Sequence, residues 1–158
     1  MKAALAALLL VLSSSAYSLP ISAAEHEIVL EIGASLGVPR SIANWLQVEE
    51  SGDRYTGGWG DAKAVGKKGS DGERCLGLYQ LNPRFEKALV AAYYLHPAAY
   101  FDVFNPCDNA IVALGFLADL HRQYGSWERA LWYFNLGRVT DVPLSVGAYA
   151  LRIIESKE

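Results

Sequence analysis

The sequence predicts a mainly α-helical domain with one long glycine-rich loop, and three observations lead to this prediction. Apolar residues recur at helical spacing in most of the chain, helix-starting and helix-ending residues flank these segments, and strand patterns are weak throughout. The length of 158 residues suits one domain. Residues 52–74 differ because they contain seven glycines. They are expected to form a long loop or a short β-hairpin.

A secretory signal peptide is expected at residues 1–24, followed by the domain at residues 25–158. Lys2 precedes an apolar run, Ala3 to Leu12, that is too short to cross a bilayer, and small residues follow it. We therefore expect export to the periplasm or the cell exterior, with no membrane-spanning segment in the mature chain.

Two cleavage sites fit this signal peptide, one after Ser18 and one after Ala24. The later site is favoured because Pro20 lies just after the earlier one. Cleavage there leaves 13 basic and 17 acidic residues, a net charge of −4. Such a surface does not favour nucleic acid, whose binding relies on cationic side chains, and it offers no general attraction to anionic lipid.

Neither a cofactor nor a metal is indicated. The sequence has no phosphate-binding loop and no EF-hand pattern, and its cysteines and histidines form no metal-ligand cluster. Cys75 and Cys107 are disulfide candidates in an exported chain, and closing that loop would stabilise the fold by about 3–4 kcal/mol. Two buried free thiols are the alternative.

The first two helices are predicted by an apolar row and by the residues that start and end helices. Ile28, Ile32 and Leu36 are spaced four apart, and Gly37 is a natural end for that helix. Pro39 suits the start of the second helix, which runs to a Ser-Gly break.

Four more helices follow the glycine-rich loop. Asn-Pro pairs start the first two, Ser126 caps the third, and the fourth begins near Pro143. For three of them, a row of residues is expected to face the core: Phe85, Ala88, Leu89 and Ala92; then Cys107, Ile111, Leu114, Ala118 and His121; and lastly Val146, Tyr149, Ala150 and Ile153.

Glu50 is the main candidate for a catalytic residue. It continues the row of Ile42 and Leu46 at the end of the second helix, so the three side chains share one face. An apolar wall can keep such a carboxyl protonated, because raising its pKa to about 6 increases the protonated fraction at pH 7 about fiftyfold. The alternative is a helix end with two solvated glutamates, Glu49 and Glu50.

Two further stretches place amide side chains among apolar residues. Gln80 lies in Gly-Leu-Tyr-Gln-Leu-Asn-Pro and can both donate to and accept from an amide-bearing ligand. Asn135 lies in Ala-Leu-Trp-Tyr-Phe-Asn-Leu-Gly, at a helix end beside three aromatic residues. Tyr79, Trp59 and Trp132 are candidates for stacking on sugar rings, although most aromatic residues in a small helical domain are core.

These motifs, in this order, resemble the lytic transglycosylase domain of the soluble type, which belongs to the lysozyme superfamily and is similar to goose-type lysozyme. The matching elements are Glu50-Ser51, Gly-Leu-x-Gln-x-x-Pro, an Asn followed by the apolar Phe116-Leu117 helix, and Ala-Leu-x-x-aromatic-Asn-x-Gly. The resemblance covers roughly Ser41 to Ile154. It implies a lysozyme-like helical fold and peptidoglycan glycan strands as the substrate.

The resemblance also implies roles for single residues. Glu50 would be the catalytic acid, Ser51 would order the end of its helix, and Asn135 would hold the cleft near the acid. The residues implied at the sugar site are Ser51, Gly77, Leu78, Tyr79, Gln80, Phe134 and Asn135. The family usually has Tyr where this chain has Phe134, so a hydroxyl close to the acid is expected to be missing.

The implied reaction cleaves the β-1,4 bond between N-acetylmuramic acid and N-acetylglucosamine (MurNAc and GlcNAc) without water. Glu50 would protonate the bond and then act as base toward the sugar's own 6-hydroxyl, which leaves a 1,6-anhydro end. Asp53, Asp61 and Asp71 remain candidates for a second carboxylate. The alternatives are a hydrolytic muramidase of the same fold and a non-catalytic peptidoglycan-binding or assembly protein. The sequence identifies no envelope or secretion-machine partner.

Overall fold

The computed structural model describes residues 20–52, 58–136 and 144–155, and this part of the chain is mostly helical. Its elements are α1 (Ala23–Ser35), α2 (Arg40–Ser51), β1 (Val65–Lys68), β2 (Arg74–Leu76), α3 (Pro83–Tyr93), α4 (Pro106–Tyr124), α5 (Trp127–Leu136) and α6 (Leu144–Glu155), with a short 3-10 turn at Ala98–Tyr100. The mainly α prediction is confirmed, and so is the short hairpin in the glycine-rich loop, since β1 and β2 pair antiparallel.

The longest helix, α4, forms the centre of the core. Nine of its residues are buried, on more than one side of the helix, because α1, α3 and α5 all pack against it. Pro106 opens the helix, the side chain of Asn105 caps it, and Gly125 ends it in the left-handed conformation. α6 packs against both α5 and α2, so it closes the bundle beside the end of α2.

The apolar row that predicted α1 lies at the edge of the buried face of this helix, since Ile32 and Leu36 are only partly buried against the core. Ile28, which begins the predicted row, is 50% exposed, and the buried face instead runs through His26, Val29, Leu30 and Gly33. Gly33 explains the difference. A Cβ on it would lie 3.2 Å from the Cβ of Ala43, so the missing side chain lets α1 approach α2 closely.

The predicted face of α3 is wrong. Phe85 is 52% exposed, whereas Val90 is buried. Tyr93 lies against Gly115 of α4, where a Cβ would be only 3.1 Å from the tyrosine ring, and its hydroxyl donates to Asp119 at 2.6 Å. The row predicted for α6 is confirmed where side chains are described, because Tyr149, Ala150 and Ile153 are buried.

The residues just before α1 already contact the rest of the domain. Ile21 is 5% exposed, and its N–H donates to the carbonyl of Gly60 at 3.1 Å. Ser22 forms a reciprocal capping box with Glu25, in which each side chain accepts from the backbone N–H of the other residue.

This cap favours the earlier of the two signal-peptide cleavage sites, although residues 1–19 lie outside the described part of the chain. Cleavage after Ala24 would remove the buried Ile21 side chain and the Ser22 cap, at a cost of about 3 kcal/mol. We therefore expect an exported chain to begin at Leu19, as N-terminal sequencing of the secreted protein would show. A first residue of Glu25 would contradict this expectation.

A tight turn after β2 connects the hairpin to the helical core. Gly77 has φ of +77° and Gln80 has φ of +52°, and the N–H of Leu81 returns to the carbonyl of Leu76 at 2.9 Å. The buried Asn109 of α4 holds this turn. Its Oδ1 accepts from the N–H of Tyr79 at 2.8 Å, and its Nδ2 donates to the carbonyl of Val103 at 2.9 Å.

Candidate active site

Glu50 lies in the last turn of α2 and is half-buried. The hydroxyl of Tyr149, on α6, donates a hydrogen bond to its Oε1. The two residues are 99 positions apart in the sequence, and the packing of α6 on α2 brings them together. A phenol therefore orients the carboxyl, while part of the carboxyl stays accessible to a substrate.

The hydroxyl of Tyr149 remains a hydrogen-bond donor at neutral pH. Burial, followed by the negative charges of Glu50 and Glu49, raises the pKa of Tyr149 well above its usual value. A hydrogen bond from Asn135 acts in the opposite direction. The hydroxyl thus stays protonated throughout the neutral range, and Asn135 holds it from the side of α5. Asn135 therefore contacts Tyr149, which hydrogen-bonds to Glu50, and its role is not limited to the end of a helix.

Glu49 is held by an ion pair. Both of its oxygens accept from Arg152, at 3.0 and 3.1 Å, and its side chain is only 5% exposed. Arg152 follows Tyr149 by three residues on α6, so the two side chains lie on neighbouring turns of one face. The ion pair fastens α6 to α2 one turn away from the bond between Tyr149 and Glu50. This position suits a positioning role for Glu49 and leaves Glu50 as the accessible carboxyl.

Ser51 fixes the end of α2 to the segments that follow it. Its Oγ donates to the carbonyl of Leu78 at 2.6 Å and accepts from the N–H of Asp61 at 3.1 Å. Gly60 passes so close that a Cβ there would lie 2.5 Å from the same oxygen. The hydroxyl thus anchors both the turn after β2 and the glycine-rich loop beside the candidate acid.

Two side chains of the turn after β2 are core. Tyr79 and Leu78 are both 0% exposed, and the Tyr79 hydroxyl donates to the carbonyl of Ala43 at 3.1 Å. The interpretation of Tyr79 as a residue that stacks on a sugar is therefore wrong, whereas the expected sugar contact of the Gly77-Leu78 backbone stays a prediction. The reason is the turn itself, which points these side chains inward under Asn109.

The polar groups expected beside the sugar are used within the same turn. The Gln80 side chain donates to the carbonyl of Gly77 at 2.8 Å and lies near that of Ala64 at 3.4 Å. The N–H of Gly77 donates to the carbonyl of Ala64 at 2.9 Å, and the carbonyl of Leu78 accepts from Ser51. These bonds give the Gln80 side chain a structural role, because its amide binds backbone carbonyls. Its contact with a sugar stays a prediction.

The expectation of a missing hydroxyl is wrong as well. Phe134 is half-buried and its ring packs against Phe116, with centroids 6.0 Å apart. The phenol beside Glu50 comes from Tyr149 instead. A partial signal for this residue is present in the sequence, because Tyr149 lies in the core-facing row of the last helix, where a buried phenol needs a hydrogen-bond partner.

The predicted disulfide is not formed, since Cys75 and Cys107 are both free thiols. Their surroundings differ. Burial and then the charge of Glu50 raise the pKa of Cys75, whereas burial and then Asp108 raise that of Cys107. Cys75 thus lies on the β2 side of the candidate acid, and Cys107 lies in the first turn of α4, near a different set of carboxylates.

Two of the candidates for a second carboxylate serve in turns. Asp61 accepts from the N–H of Lys63 at 2.8 Å. Asp71 accepts from the N–H of Glu73 at 3.1 Å and from the side chain of Asn82 at 2.8 Å. The third candidate, Asp53, lies outside the described residues.

Replacement of Tyr149 by Phe should lower turnover by about tenfold to a hundredfold, the range for losing a hydrogen bond to a charged group. Because this hydroxyl stabilises the ionised carboxylate, the alkaline limb of the pH–rate profile should also move to higher pH. Tyr93→Phe is the matched control, since it removes a phenol–carboxylate bond remote from Glu50. Equal losses in the two variants would show that Tyr149 acts only through stability.

In the part of the chain that the structure describes, no helix is both long and apolar enough to cross a bilayer. Over the same ranges, no group of three or more His, Cys, Asp or Glu side chains is placed to hold a metal ion.

Comparison with known proteins assigns the family. The family model of the transglycosylase SLT domain matches residues 40–143, a stretch that holds Glu50, the turn after β2, α4 and Asn135. No curated protein and no solved structure matches the chain. The chain therefore belongs to the transglycosylase SLT domain family, and its function is peptidoglycan cleavage of the lytic transglycosylase type.

Proposed function

We propose that this protein cleaves the β-1,4 bond between MurNAc and GlcNAc in peptidoglycan, with Glu50 as the single acid and base, and leaves 1,6-anhydro-MurNAc ends. The observation that carries the proposal is the half-buried Glu50 carboxyl at the end of α2, oriented by the buried Tyr149 hydroxyl. An exported protein, acting in the periplasm or outside the cell, fits this substrate.

The first step is proton transfer from Glu50 to the oxygen between the two sugars. The bond from this oxygen to C1 of MurNAc breaks, and GlcNAc leaves with a new hydroxyl. Glu50 is then a carboxylate. The Tyr149 hydroxyl donates to it and stabilises the charge that forms.

In the second step the carboxylate takes the proton of the 6-hydroxyl of the same MurNAc. The oxygen of that hydroxyl forms the new bond to C1, which closes the 1,6-anhydro ring and returns Glu50 to its protonated form. No water is consumed, so one group serves as acid and then as base. The involvement of Asp61 and Asp71 in turns, and of Glu49 in an ion pair, supports a mechanism with one carboxyl.

Mass spectrometry of the soluble products tests the proposal. Purified cell-wall sacculi are digested with the exported form of the protein, and the released muropeptides should be lighter by one water than the products of a muramidase. Products that contain the added water would identify a hydrolase of the same fold. If no muropeptide is released, the non-catalytic binding protein becomes the better interpretation.

A further inference from the structure

A hollow of about 370 Å³ lies between α1 and α2, and Trp59 forms part of its wall. Its volume is near the lower end of the range for small-molecule sites, which suits a single ring better than an extended chain. The hollow is also lined by His26 from α1, and by Ser41, Asn44 and Trp45 from α2. None of them has a role in the chemistry proposed for Glu50.

This hollow is separate from the active site. A helix turns about 100° per residue, so Trp45 and Asn44 lie about 140° and 120° around α2 from Glu50. Ser41 lies about 180° away by the same geometry. Six residues of helix also separate Asn44 from Glu50, which corresponds to about 9 Å along the axis. A ligand in the hollow would therefore contact the opposite side of α2 from the catalytic carboxyl.

Aromatic surface is the first feature of this site. Trp45 and Trp59 are half-buried, so each presents part of its indole to the hollow. Trp59 is held in place by stacking on His26, with ring centroids 4.5 Å apart and planes within 8°. His26 is in turn bonded to the buried Gln47. Rigid indoles of this kind pack well against the apolar face of a sugar ring.

Unused polar groups are the second feature. Within the described ranges, the side chains of Ser41 and Asn44 make no hydrogen bond to the protein, although both line the hollow. Together they offer a hydroxyl, an amide donor and a carbonyl acceptor. These are the groups that hydroxyls or an acetamido group of a ligand would pair with.

The charge around the hollow selects against an anion. Arg40 also lines it, but its guanidinium is bonded to Glu27 and Glu31, each at 2.7 Å. Two carboxylates thus accompany one cation. Burial lowers the pKa of His26, so this ring is neutral near pH 7 and adds no positive charge.

We propose that the hollow between α1 and α2 is a second carbohydrate site, which binds one uncharged pyranose unit such as GlcNAc. The aromatic walls, the free polar groups of Ser41 and Asn44, and the compensated charge of Arg40 together fit this ligand. The proposal rests on peptidoglycan as the substrate and not on the chemistry of Glu50. Such a site would hold a neighbouring glycan strand while another strand occupies the cleft.

Binding can be followed at the indole N–H signals of the four tryptophans, using Glu50→Gln protein and the neutral tetramer of GlcNAc as the probe. The Trp45 and Trp59 signals should shift and saturate. Trp127, which stacks on His121 in the same way that Trp59 stacks on His26, is the matched control and should not shift. Asn44→Ala should weaken the binding measured at Trp45 and Trp59 by about tenfold, the effect of losing one hydrogen bond.

Three results would overturn the proposal: no shift at Trp45 and Trp59, shifts whose affinity is unchanged by Asn44→Ala, or shifts produced by a stem peptide in place of the sugar. The second result would mean that the tetramer reaches these indoles from a site that Asn44 does not line. Ser41→Ala provides an independent variant with the same expected direction. Muropeptide release by the wild-type protein is measured separately, so failure of this site and failure of the proposed reaction are distinguishable.

Discussion

Replacement of Glu50 by Gln is expected to abolish muropeptide release, with a loss of about a thousandfold or more, because a general acid and base typically contributes 10²- to 10⁴-fold. Stability should be nearly unchanged. The amide keeps an oxygen that accepts from Tyr149, and it removes one of two adjacent negative charges. Release of soluble products from purified sacculi and the thermal unfolding midpoint of the same preparation check both parts.

Glu49→Gln is the matched control, because it changes the neighbouring residue in the same way. Its expected effects are the opposite of those of Glu50→Gln, with stability reduced and turnover largely retained. Loss of the ion pair with Arg152 should lower the free energy of unfolding by about 1–2 kcal/mol, since Glu49 is buried but Arg152 is half-exposed. Turnover should fall by no more than about tenfold, through a looser α6. If Glu49→Gln abolishes product release while Glu50→Gln retains it, the assignment of the acid is wrong.

Gly77→Ala is expected to lower the free energy of unfolding by about 3 kcal/mol or more, a large share of the 5–15 kcal/mol typical of a domain. Two costs combine. The φ of +77° is unfavourable for any residue with a Cβ, and that Cβ would overlap the carbonyl oxygen of Val103 and the amide of Asn109. Neither atom can move freely, because they are bonded to each other at 2.9 Å.

Gly125→Ala separates these two costs. Gly125 has φ of +67°, but a Cβ there would meet no atom within 4 Å. It should therefore lose only about 1–2 kcal/mol, the backbone cost alone. Thermal unfolding of both variants measures the difference. Equal midpoints would mean that the turn around Gly77 can relax, and that Asn109 does not hold it rigidly.

The amino-acid pattern was sufficient to predict the helical class, the hairpin in the glycine-rich loop and the position of Glu50 at the end of an apolar row. Each of these depends on local spacing. It gave the wrong buried face for α3 and did not identify the full buried face of α1, because two adjacent rows of a helix can both satisfy a period of 3.6. Which row is buried depends on the partner helix. At Gly33 and Gly115 the partner helix packs closely because glycine has no side chain.

For the site residues, too, local sequence pattern predicted one part and tertiary packing decided the other. The order of short motifs around Ser51, Gln80 and Asn135 predicted the family, which the match over residues 40–143 establishes. The motifs did not distinguish side chains that face a cleft from those that build it. Tyr79 is core, and the Gln80 amide is bonded to backbone, because the turn after β2 needs these contacts to close.

By itself, therefore, the sequence determined the family, the helical class and the best candidate for the acid, since all three depend on residues close together in the chain. Only the tertiary structure decided what surrounds that acid. α6 packs against α2 and brings the Tyr149 hydroxyl to Glu50 and Arg152 to Glu49 across about a hundred residues. Contacts between residues so far apart leave no periodic pattern in a single sequence. The hydroxyl beside Glu50 therefore comes from Tyr149 of α6 and not from residue 134 of α5.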